Sequence, residues 1–160
     1  MSNSIDLYND NLIDPKKEIE GVIRKISSGV SVRVARANNP EYRRLLRRKY
    51  KGSRGVLEQD DDTAMELSDE LMQEVYAHTV LKDIIVSDEM DADGVTPKYV
   101  VTIDGEAYRN GDYDPQIGLK ILKNEPFRNK IKSIAEDQAA FMLFGDETAG
   151  NGLKQLSAGT

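Results

Sequence analysis

GVSVRVARANNPEYRRLLRRKYK, residues 29–51, contains a strand, a turn and a helix in succession. Val30, Val32 and Val34 alternate with Ser31, Arg33 and Ala35, the period of a half-buried strand. Asn38 and Asn39 supply a turn and a helix cap. Pro40 follows at the first helical position, where its missing N–H costs nothing. Tyr42, Leu45, Leu46 and Tyr50 form an apolar stripe, and Arg43, Arg44, Arg47, Arg48, Lys49 and Lys51 cover most of the remaining surface. Gly52 is expected to stop this helix, giving it bounds of about 40–51.

Working outward, EIEGVIRKI from Glu18 and the loop Ser27-Ser28-Gly29 turn the valine strand into a hairpin over 17–35. A lone hairpin is marginal in water, so this one must pack against helices or another chain. Beyond the basic helix the charge changes sign abruptly. Residues 41–54 carry Glu41 as their single acid, whereas 58–70 carry Glu58, Asp60, Asp61, Asp62, Glu66, Asp69 and Glu70 and no base. A second helix is expected over 62–82, capped by its own acidic start, with Ala64, Leu67, Leu71 and Val75 on one face. Surface ion pairs between these two helices, at about 0–1 kcal/mol each, would orient them rather than hold them.

Residues 87–97 read as an acidic loop, and 98–108 as a second hairpin turning on Asp104-Gly105. Asp114-Pro115 opens a helix over 115–123, and Asn124 with Pro126 opens another over 126–144. Residues 1–16 read as an N-terminal arm, 17–145 as one globular domain and 146–160 as a flexible tail. The fold class is mainly α with small antiparallel β-hairpins, an α+β arrangement.

The totals narrow the function. The chain has 160 residues, a net charge of −6, 31% charged residues, 6% aromatic residues and no Trp or Cys. Disulfides and thiolate metal sites are excluded, and no apolar run is long enough for a membrane span. The first residues lack the basic and apolar regions of a signal peptide. Asp91, Asp93 and Gly94 mimic the middle of an EF-hand loop, but Val100 stands where that loop needs its bidentate Glu. His78 is the single histidine, with no zinc spacing around it and no recognisable nucleophile to serve. The glycines form neither a Walker loop nor GxGxxG. No catalytic residue, metal site or cofactor is expected, and the chain reads as a binding or assembly protein rather than an enzyme.

The block VRVARANNPEYRRLLRR, residues 32–48, resembles a segment of the tail assembly chaperones of long-tailed bacteriophages. In that family a VxVARxxNP-type strand and turn leads into a basic helix, then an acidic helix, a loop, a lysine-and-leucine helix and an FR…A…F terminal helix. IGLKILK at 117–123 and FRNKIKSIAEDQAAF at 127–141 match the later parts, so the resemblance spans roughly 20–145. The hairpin at 98–108 departs from the pattern, lengthening a connection expected to be short. The resemblance implies a tape-measure protein as client, with tail-tube protein gathered around it. It also implies residence in the cytoplasm of the infected bacterium and absence from the finished virion. Arg43, Arg44, Arg47 and Arg48, with Tyr42 beside them, are the candidate partner-binding residues. Homo-oligomerisation is left open by the sequence. Two other readings remain open: a nucleic-acid-binding module using the helix at 41–51, and a minor structural component of the virion. The acidic total and the missing base-reading motif weigh against nucleic acid.

Overall fold

The computed structural model describes residues 4–59 and 61–143. Five α-helices and five strands follow in chain order: α1 (Pro15–Glu20), β1 (Val22–Ser27), β2 (Val30–Val34), α2 (Pro40–Leu57), α3 (Asp62–Thr79), β3 (Leu81–Val86), β4 (Val101–Ile103), β5 (Glu106–Tyr108), α4 (Pro115–Leu122) and α5 (Glu125–Ala135). Short 3-10 turns lie at Asn9–Asn11 and Gln138–Phe141. The fold is α+β, with small antiparallel sheets among helices.

One local rule starts all five α-helices. An Asn or Asp side chain accepts a backbone N–H at each N-terminus: Asp14 from Lys16, Asn39 from Tyr42, Asp61 from Ala64, Asp114 from Ile117 and Asn124 from Phe127. Each cap satisfies a donor that the helix itself leaves open. Pro15, Pro40, Pro115 and Pro126 sit in the first turns of four of them, where no N–H is missed.

β2 is the centre of a three-stranded antiparallel sheet, order β1-β2-β3. Val32 stands between Arg24 and Ile84, and Val34 between Val22 and Leu81. Val32, Val34, Leu81 and Ile84 are all buried, and they meet Tyr76, Val80, Leu122, Ile131 and Ala135 in the core. The expected helix over 62–82 therefore stops at Thr79, and Leu81–Val86 is a strand that the sequence reading missed. The reason is β2's second edge. A central valine strand needs partners on both sides to satisfy its backbone groups, and Leu81, Ile84, Ile85 and Val86 suit that place.

Other bounds differ as well. The hairpin expected over 17–35 begins only at Val22, because Asp14-Pro15 starts a one-and-a-half-turn helix that Gly21 ends at φ +94°. Gly52 does not stop α2, which runs to Leu57. A helix passes through two glycines here because α3 packs along it, a tertiary gain that outweighs about 1 kcal/mol of propensity per glycine. The last helix ends at Ala135 rather than at 144. Its terminal carbonyl accepts from Ala37 N–H at 2.8 Å, tying α5 to the strand-to-helix junction after β2. The arm expected over 1–16 is engaged at its end: Asp14 N–H donates to Phe141 O and Leu143 N–H to Leu12 O. Residue 144 and the tail expected over 146–160 lie outside the described residues.

The second hairpin meets the first sheet at its edge. Asp104 (φ +53°) and Gly105 (φ +80°) make the two-residue turn between β4 and β5. From β5 onward, side chains occupy β3's outer edge. The Tyr108 hydroxyl donates to Ile84 O at 2.7 Å, and the Asn110 side-chain amide both donates to Val86 O and accepts from Val86 N–H, each at 2.8 Å. The Tyr113 hydroxyl lies 2.9 Å from Leu81 O and 3.2 Å from Ala77 O. Tyr99 lies over Gly29, in the space a Cβ would fill. Tyr108, Asn110 and Tyr113 thus close an edge that would otherwise offer a template for pairing.

Candidate functional site

The basic stretch becomes the outer helix of an antiparallel pair. α2 packs chiefly against α3, whereas α3 also meets α4 and β3. The pair has two different ends. At the end near the sheet, Asn39 is completely buried yet fully bonded. Its amide donates to Arg36 O and Thr79 O, each at 2.9 Å, and its carbonyl accepts from Tyr42 N–H at 2.9 Å. Asn38 beside it takes the left-handed conformation, φ +61°, which Asn tolerates better than most residues. This junction fixes how α2 leaves β2.

Tyr42 belongs to that end. Its ring meets Tyr76 edge to face at 6.1 Å, and its hydroxyl points to the Met72 sulfur at 3.7 Å. Burial, with the Glu136 carboxylate a smaller cause, holds its hydroxyl above the usual tyrosine range. Burial likewise pushes Tyr76 up to about 12, with smaller contributions from Tyr42 and Glu136. Tyr42 therefore lies in a helix interface rather than on a free surface.

The four arginines divide. Arg43 turns back along the helix, its guanidinium donating to Asn38 O at 3.1 Å. Arg44, Arg47 and Arg48 are exposed and share one surface with Lys51, at the i, i+3 and i+4 spacings that place side chains together on a helix. None of these four forms an ion pair among the described residues. Lys49–Glu74, at 3.0 Å, is the ion pair that links α2 to α3. The expected pairing of a basic with an acidic helix is therefore slight, because most of the charges face outward. Asp62, Glu66, Asp69 and Glu70 are exposed on α3 and make no ion pair among the described residues either.

Between the two helices, at the end far from the sheet, lies a cleft of about 340 Å³, apolar along its walls with Glu58, Gln59, Asp61 and Ser68 also lining it. Leu46, Tyr50 and Leu57 line it from α2, and Ala64, Met65 and Leu71 from α3. Tyr50 is 47% exposed and Met65 67%, so the cleft wall stands partly in water. The sequence reading missed this cleft because ending the helix at Gly52 removed Leu57 from the stripe. The spacing Leu46, Tyr50, Ser53, Leu57 is the signal that carries through both glycines.

His78 is exposed on α3. Asp93 spends its carboxylate on its own loop, accepting from Val95 and Thr96 N–H, and these bonds, that of the Thr96 side chain first, keep its pKa low. Among the described residues no three His, Asp or Glu side chains converge as a metal site would need, and no helix is long and apolar enough to cross a membrane. Comparisons with models of protein families, with curated proteins and with solved structures find no match.

Proposed function

We propose that this protein is a tail assembly chaperone of a long-tailed bacteriophage, acting without catalysis in the cytoplasm of the infected cell. It binds the tape-measure protein, keeps it dissolved while tail-tube protein gathers around it, and leaves before the virion is complete. The resemblance over 32–48 supports the process, and one observation supports the contact. Arg44, Arg47, Arg48 and Lys51 form an exposed cationic stripe, without carboxylate partners among the described residues, on a helix whose opposite side is already packed. A stripe of this kind suits carboxylates along a client helix, at long range for encounter and at short range for orientation.

Co-expression with the tape-measure protein of the same phage tests this reading. The wild-type chain should keep the client in the soluble fraction and co-purify with it. Arg44→Glu, Arg47→Glu and Arg48→Glu together should cut the recovered client at least tenfold while helicity by circular dichroism stays unchanged. Undiminished co-purification with the fold intact would sink the proposal. The same stripe has the spacing to follow phosphates, so affinity for DNA that falls steeply with salt would favour the nucleic-acid reading instead. The carboxylates of α3, on the neighbouring helix, disfavour it.

A further inference from the structure

The outer half of the α2–α3 pair presents three parallel strips on one face. At 100° per residue, Tyr50 at the cleft edge leads around α2 to Arg47 and then Lys51. On the other helix, Met65 leads around α3 to Asp69 and Asp62. The face therefore runs from cations, across the cleft, to carboxylates, and all of these flanking charges are exposed. Among the described residues neither flank forms an ion pair, although the two lie on adjacent helices.

A face of this kind is complementary to itself. If two copies meet face to face about a twofold axis parallel to the helices, α2 of each lies against α3 of the other. The four helices are then antiparallel to their neighbours, as in an up-and-down bundle. Tyr42 packs on Tyr76 and Leu57 shares the cleft with Asp61, so residues 47–51 of α2 stand level with about 67–71 of α3. The twofold keeps those heights and brings the cations of one copy within a turn of Glu66, Asp69 and Glu70 of the other. The alternative twofold, perpendicular to the helices, would set arginine against arginine, and charge selects against it.

We propose that a second copy of this chain docks on the α2–α3 face, with Tyr50 and Met65 entering the facing clefts and the basic strip of each copy on the acidic strip of the other. Each helix has 18 residues, about 27 Å, so the footprint is small and the dimer is weak and salt-sensitive. The inference needs no phage component and does not rest on the chaperone reading. A client bound at the arginines would compete with the second copy.

Sedimentation velocity of the full chain, over a roughly hundredfold concentration range, tests it. The wild type should move from the mass of one chain to that of two, and higher salt should weaken the association. One variant, carrying Arg47→Glu and Lys51→Glu, and another, carrying Asp62→Lys, Glu66→Lys and Asp69→Lys, should each stay monomeric. An equimolar mixture of the two should associate, because both contacts become attractive again. Met65→Glu, at an exposed position with no role in the core, should weaken the wild-type dimer at least tenfold. A wild type that remains one chain throughout, a mixture that stays monomeric, or a Met65→Glu dimer as strong as the wild type overturns the proposal. A monomer that still co-purifies with a tape-measure protein would overturn the dimer alone and leave the chaperone reading standing.

Discussion

The two ends of the α2–α3 pair share the same helices and differ in everything else. Near the sheet, Asn39, Val75, Tyr76 and Thr79 are buried, and the Asn39 and Thr79 side chains are bonded. At the far end, Tyr50 and Met65 stand partly in water and the flanking charges form no ion pair among the described residues. A helical pair can thus be anchored at one end, where burial supplies the free energy, and leave the other free to recognise a partner. The charge-rich end is the more conspicuous in the sequence. The end that determines stability is announced by little more than Asn-Asn-Pro.

That difference can be broken most directly at Asn39. Asn39→Ala removes a helix cap and strands the buried Thr79 carbonyl. It should cost about 3 kcal/mol in urea unfolding, from roughly 1 for the cap and 1–3 for the unpaired group. The arginine reversals at the other end should change stability by less than about 1 kcal/mol, since exposed charges contribute little. Equal losses at both ends would erase the distinction.

Alkaline pH probes the buried end without mutation. Burial pushes Tyr76 up to about 12, and Tyr108 also up to about 12, from an unfolded value near 10. The fold favours the neutral hydroxyls, so their contribution is complete below pH 10 and is lost as pH rises from 10 to 12. Allowing for residual solvent screening, roughly 1–2 kcal/mol should disappear for each, read as a falling urea midpoint across that window. A midpoint that stays flat to pH 12 would show that these hydroxyls are not held by the core.

The smallest effect sharpens the outer end. Gly52 and Gly55 lie in α2 with open space where a Cβ would stand. Gly52→Ala should stabilise the protein by up to about 1 kcal/mol in thermal or urea unfolding, with Gly55→Ala similar. No gain would mean that the last turns of α2 are not helical in solution.

Much of the architecture was written locally. The valine alternation, the Asn39-Pro40 and Asp114-Pro115 starts, and the Asp104-Gly105 turn each depend on a few neighbouring residues, so they were legible from the chain alone. The α+β class followed from them. Leu81–Val86 was hidden because an apolar run after a helix reads equally as its last turn or as a new strand. Only β2's unpaired second edge decides between them, and that edge exists only in three dimensions. Gly52 misled for a similar reason: its local preference to end a helix is worth about 1 kcal/mol, and packing against α3 exceeds it.

The candidate surface divides along the same line. The sequence by itself determined that positive charge gathers on one helix and negative charge on the next, because charge is a property of composition. It could not determine that Tyr42 turns inward, that Arg43 bonds back to Asn38, or that Arg44, Arg47, Arg48 and Lys51 share one exposed surface. Those outcomes depend on which side of α2 meets α3, which burial of the apolar stripe fixes. Tertiary packing set the opposite charges of adjacent helices outward instead of against each other, and that placement makes the surface available to a partner.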